Sequence, residues 1–171
     1  LTLPVKHEQT IQLHPEISTS RDETEIKAIN LPEADTHQMS VVLVVEDNPE
    51  MNAYICRQLS PFYTVLSAAN GQAAIELLDA NYVSLIVSDI MMPQIDGLEL
   101  CSRVKSDLSY SHIPVVLLTA KSNLQSKIEG LRSGADAYIE KPFSVEYLQV
   151  CISNLLTNRE KLRQTFVSSP F

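Results

Sequence analysis

The sequence predicts an α/β fold, a parallel sheet wound with helices on both faces. Apolar strand-like runs alternate with helical periodicity over residues 41–156, and the run inside VSLIVSDIMMPQIDG (83–97) shows no polar alternation. Such a run fits a strand buried on both sides. Parallel neighbours need crossovers, which the intervening helical segments supply.

The first strand is VVLVV, beginning at Val41 and followed by Glu46, Asp47, Asn48 and Pro49. Asn48 suits an N-cap and Pro49 a first helical position, so a helix is expected over Pro49–Leu59. A shorter strand follows at 63–67, and Asn70-Gly71 turns into a helix over Gly71–Ala80 with Ala74, Leu77 and Leu78 on its apolar face. The central strand ends at Asp89 and is bounded by Pro93 and Gly97. Leu98, Leu100, Cys101 and Val104 mark the third helix, and Pro114 is tolerable at the start of the strand VVLLT, which ends at Thr119. Residues 121–133 read as a fourth helix stopped by Gly134 at C′. A fifth strand at 136–139 delivers Glu140, Lys141 and Pro142; Ser144 caps a last helix carrying Val145, Leu148, Ile152, Leu155 and Leu156. The natural closure is a flavodoxin-like (βα)5 doubly wound sheet in the order 2-1-3-4-5, with the site outside the carboxyl ends of the strands.

With 171 residues and 44% hydrophobic content, one domain with tails is expected. Residues 1–40 carry Pro4, Pro15 and Pro32 among acidic and polar residues and read as a flexible linker; LTLPV at its start resembles a strand end of something upstream. Residues 157–171 read as a basic helical connector that frays. A net charge of -8 without a basic stripe argues against nucleic-acid binding. The three cysteines, Cys56, Cys101 and Cys151, are far apart and read as reduced core thiols of a cytoplasmic protein. No run of 18 apolar residues occurs, so no membrane contact is expected, and the missing initiator Met suggests an excised piece.

Four strand ends contribute Glu46 and Asp47, Asp89, Thr119 and Lys141. Clustered carboxylates repel one another and tend to take up protons unless positive charge sits among them. A Mg²⁺ ion fits, since it takes oxygen ligands and is held by one or two carboxylates together with phosphate oxygen. Asp47 and Asp89 are the expected direct ligands, with Glu46 acting directly or through water. A carboxylate can attack phosphorus to give an aspartyl phosphate, with Lys141 and the Thr119 hydroxyl on the phosphoryl oxygens.

The segments VVLVVEDN, IVSDIMMPQIDG, VVLLTA and GADAYIEKPF resemble, in order and spacing, the four signature segments of the receiver domain of two-component response regulators, over about residues 39–156. The resemblance implies Asp89 as phosphoacceptor and Glu46, Asp47 and the Met91 backbone carbonyl around the metal. It implies Thr119 and Tyr138 as switch residues, Lys141 as the phosphate-binding cation, and a cis Lys141-Pro142 bond. It further implies self-catalysed phosphotransfer and autodephosphorylation, a phosphohistidine domain of a histidine kinase as donor, and a switched surface of the fourth helix, fifth strand and fifth helix that either forms a homodimer or releases an attached output module. The tails resemble those of hybrid sensors of Bacteroides type, which implies a histidine kinase parent anchored in the inner membrane and an output in transcription regulation.

Each feature alone has a plainer reading. Glu46-Asp47 suits any helix N-terminus, Lys141 could pair weakly with Glu140, Thr119 could only cap a strand, and Tyr138 could pack on the last helix. Two other functions compete. A hydrolase using Asp89 would want an acid/base carboxylate two residues on, where Met91 stands; a phosphorylation-independent docking module needs no acidic set. The histidines His7, His14, His37 and His112 fall in linker or loop and are not expected to bind metal.

Overall fold

The computed structural model describes residues 38–120 and 124–168. The strand end at 1–5, most of the 1–40 linker, His7, His14, His37, residues 121–123 of the expected fourth helix and the last residues of the connector lie outside them. The elements are β1 (Val41–Val45), α1 (Pro49–Leu59), β2 (Thr64–Ala68), α2 (Gly71–Ala80), β3 (Leu85–Asp89), α3 (Gly97–Ser106), β4 (Val115–Thr119), α4 (Leu124–Arg132), β5 (Ala137–Glu140) and α5 (Val145–Ser168). The strands form one parallel sheet in the order β2-β1-β3-β4-β5, as the alternation of elements predicts.

Successive residues of each central strand feed opposite cores. Val42, Val44, Leu85, Val87, Val116 and Leu118 pack with Ile55 and Leu59 of α1 and Leu148 and Ile152 of α5. Leu43, Val45, Ile86, Val115 and Leu117 pack with Ala74 and Leu78 of α2 and Leu100 and Val104 of α3. This explains the absence of polar alternation, because both faces are covered. Each fully buried Val, Leu or Ile contributes about 2 kcal/mol relative to exposure.

Side-chain caps start α1, α2, α3 and α5 in the loops that follow their strands. Asn48 Oδ1 accepts from the Glu50 and Met51 N–H groups, Asn70 from Ala73, Asp96 from Glu99, and Ser144 Oγ from Tyr147. Gly134 takes a φ of +83° just past α4, the left-handed conformation expected at C′.

Some boundaries differ from expectation. β2 lies at Thr64–Ala68 rather than 63–67, β3 starts at Leu85 rather than Val83, and β5 is shifted one residue towards Glu140. In each case the ladder with the neighbouring strand, not the apolar run, sets the limit. Past Leu156 the expected fraying is not seen: α5 stays helical for 24 residues, about 36 Å at a rise of 1.5 Å per residue. Arg159 helps hold it, donating from Nη1 to the Ser84 carbonyl at 2.9 Å. Among the described residues no helix is long and apolar enough to cross a membrane.

The start of α3 crowds the end of β3. A Cβ on Gly97 would collide with the Asp89 carbonyl, so only glycine lets the helix begin there. Gly97 N–H donates to Ile90 O at 3.0 Å and closes the loop. Substitution Gly97→Ala is therefore expected to destabilise the domain by about 2 kcal/mol through backbone displacement, read as a lower urea midpoint.

Candidate functional site

The carboxyl ends of β1, β3, β4 and β5 lie side by side. Glu46 and Asp47 leave β1, Asp89 ends β3, Thr119 ends β4, and Lys141 follows β5. The register pairs Val45 with Ser88, Asp89 with Leu118 and Thr119 with Glu140, so the functional side chains stand at one level of the sheet. Lys141 N–H donates to the Thr119 carbonyl at 2.6 Å, fixing the loop that carries the ammonium beside the strand that carries the hydroxyl.

Carboxylate oxygens of Glu46, Asp47 and Asp89 all lie within 4.8 Å of one another. Lys141 Nζ stands 2.8 Å from Glu46 Oε2 and 3.2 Å from Asp89 Oδ1. It does not depend on the neighbouring Glu140, as the plainer reading had it. The other Glu46 oxygen accepts the Asn48 N–H at 3.1 Å. Glu46 and Asp89 are 2% and 5% exposed, whereas Asp47 is exposed, so the group is open to water on the Asp47 side. Three carboxylates face one ammonium here, leaving two negative charges uncompensated, the charge of one divalent cation. All the donors are hard oxygens, the set that suits Mg²⁺.

Electrostatics hold Lys141 in its charged form. Burial pulls its pKa down, but the hydrogen bond to Glu46 and the charges of Asp89 and Glu46 outweigh burial and leave it above the ordinary lysine value.

Thr119 is buried, and a cavity of about 230 Å³ opens beside it, lined by Thr119, Lys127, Leu131, Tyr138 and Glu140. Tyr138 is half-buried on the α2/α3 side of the sheet rather than on the α5 side. Its ring passes so close to Gly130 of α4 that any side chain there would strike it. Burial, followed by the charge of Glu129, pushes the Tyr138 hydroxyl pKa up.

Met91 lies two residues past Asp89 with its side chain 72% exposed, while Met92 turns into the core. The Lys141-Pro142 peptide is cis. His112 sits in the turn before β4, at the far end of the sheet near Lys105 and Arg159, and desolvation followed by those two charges lowers its pKa. Cys101 is buried and Cys56 and Cys151 are half-buried, all as free thiols.

Sequence reasoning missed three contributors. Gly97 enters the sequence reading only as the boundary of the central loop, and Gly130 and Asn52 do not enter it. For Asn52 a signal was present: with Ile55 and Leu59 it falls on the buried stripe of α1, where an amide needs partners.

Residues 42–153 match the family described as response regulator receiver domain. The chain is 47% identical over 129 residues to a histidine kinase of Formosa agariphila, covering 75% of this chain and 9% of that protein. It is 43% identical to hybrid signal transduction histidine kinase D of Dictyostelium discoideum, covering 72% of this chain and 8% of that one. The chain thus spans less than a tenth of the length of these relatives. Among solved structures, the signal receiver domain of a signal transduction histidine kinase from Syntrophus aciditrophicus superposes with a TM-score of 0.66 at 32% identity, covering 70% of this chain and 91% of that one.

Among the described residues no cation lies within ion-pair distance of Asp47, whose carboxylate stands within 4.8 Å of those of Glu46 and Asp89 and is repelled by both. Substitution Asp47→Asn is expected to stabilise the metal-free protein by about 1 kcal/mol, the Coulomb energy of one such pair at a water-like dielectric. Urea unfolding in a chelator should show the gain at low salt and its loss at high salt.

Proposed function

This chain belongs to the response regulator receiver domain family, and from the geometry of its site we propose that it accepts a phosphoryl group on Asp89 from a phosphohistidine of a histidine kinase. The observation that carries the reading is the meeting of Asp89, Glu46 and Asp47 with Lys141 in a pocket short of two positive charges.

An Asp89 carboxylate oxygen attacks phosphorus as the P–N bond of the donor breaks. The donor imidazole keeps the electron pair, and an acyl phosphate remains on Asp89. Lys141 is already within ion-pair distance of Asp89 and neutralises charge on the transferring oxygens. The Thr119 hydroxyl, at the end of the adjacent strand, donates to one of those oxygens. Mg²⁺ among Glu46, Asp47, Asp89 and the Met91 carbonyl would supply the remaining positive charge. Glu46, held by Lys141 and the Asn48 N–H, orients the acidic pair.

As Thr119 moves towards the phosphoryl group, Tyr138 takes up the cavity beside it and reshapes the surface of α4, β5 and α5. That surface then pairs with a second copy or releases an attached output module. Likeness to a histidine kinase and a hybrid histidine kinase supports a hybrid sensor as the parent chain. On this reading residues 1–40 link a kinase ATP-binding domain to the receiver at 41–156, and 157–171 connect to a transcription-regulating module. The parent is of Bacteroides type, anchored in the inner membrane, with the receiver in the cytoplasm; it neither contacts lipid nor binds nucleic acid itself.

Intact mass after incubation with Mg²⁺ and acetyl phosphate tests the chemistry. The wild type should gain the mass of a single phosphoryl group, and Asp89→Asn, or the wild type in excess chelator, should gain none. An adduct that persists in Asp89→Asn would remove Asp89 from its role.

A further inference from the structure

We propose that Asn52 is the positioning residue that sets the Glu46-Asp47 turn for binding a divalent cation, an inference that rests on the receiver reading above. Asn52 lies on α1 and is 8% exposed. Its Nδ2 donates to the Glu46 carbonyl at 2.9 Å and to the Ala68 carbonyl at 3.1 Å. Its Oδ1 accepts from Ser67 Oγ at 2.7 Å and from Cys56 Sγ at 3.3 Å. The amide thereby uses both donors and both acceptor sites. Its orientation is forced, because backbone carbonyls can only accept and the serine hydroxyl, whose proton is free to rotate, donates on the other side.

The bonds close a ring at the site. Glu46 N–H also donates to the Ala68 carbonyl, at 3.1 Å, so β1, β2 and α1 are joined where the acidic turn begins. A cavity of about 380 Å³ lies against that turn, lined in part by Glu46, Asp47, Asn52, Cys56 and Ser67. On that side hydrogen bonds from Asn52 tie the backbone of the turn to α1 and β2. An apolar residue would satisfy the buried stripe of α1 as well as Asn52 does, and would leave the Glu46 carbonyl without this donor.

Calorimetric Mg²⁺ titration of the metal-free protein reads the effect directly, with folding of each variant checked by circular dichroism. Asn52→Ala should weaken Mg²⁺ binding by roughly 10-fold, as loss of a group supporting a metal ligand does. Ser67→Ala removes one of the two donors to the amide oxygen, and should weaken binding by about threefold. The double variant should bind no more weakly than Asn52→Ala, because Ser67 acts through Asn52. Phosphorylation by acetyl phosphate should slow in both single variants at low Mg²⁺ and return to the wild-type rate at saturating Mg²⁺, a recovery that mere loss of stability would not give.

A folded Asn52→Ala protein with wild-type Mg²⁺ affinity overturns the proposal. Should Asn52→Ala fail to fold, Ser67→Ala decides, and unchanged affinity there overturns it equally. A wild type that neither binds Mg²⁺ nor accepts a phosphoryl group would instead overturn the receiver reading beneath it.

Discussion

Lys141 reaches from the loop after β5, across the end of β4, to Asp89 on β3 and Glu46 beyond β1. This one side chain joins strands that the chain visits far apart. Without it, buried Glu46 and Asp89 would face each other and Asp47 with no positive charge among them. The ammonium offsets one of the three formal negative charges and leaves two. On the proposed function that residual negative charge is what invites a divalent cation and then a phosphoryl group, while burial of Asp89 keeps the reacting oxygen in a setting where each charge counts for more than in water.

Rigidity of the surroundings makes this arrangement tenable. The central strands are buried on both faces, the helices α1, α2, α3 and α5 are capped by side chains within the loops, and Gly97 lets α3 start against the Asp89 carbonyl. The same loops leave room where movement is proposed. Thr119 and Tyr138 border one cavity, and the backbone bond between Lys141 and Thr119 ties the strand carrying the hydroxyl to the loop carrying the cation. Gly130 admits the Tyr138 ring against α4, so a displacement of that ring acts first on the helix whose outer face carries the exposed Leu131.

Much of this was legible in the residues. Continuous apolar runs identified the strands, Asn48, Asn70 and Ser144 announced helix starts, and alternation of strand and helix gave the sheet order. The acidic set and Lys141 were legible because each stands at a strand end or within two residues of one, where α/β sheets place their sites. Strand limits were not, because a ladder between two strands decides them and a single strand carries no record of its partner. Asn52 escaped because an amide among Ile55 and Leu59 reads as a flaw in the pattern until its partners on β1 and β2 are seen. The length of α5 escaped for a related reason: the Arg159 contact with Ser84 that holds it joins residues 75 positions apart.

The carboxylate that carries the phosphoryl group decides the function. Borohydride reduction of the phosphorylated protein converts an aspartyl phosphate to homoserine, and peptide mapping by mass spectrometry then reports its position. Homoserine in place of Asp89 alone is the predicted result. Homoserine at Asp47 or at another aspartate, with Asp89 unchanged, would contradict it.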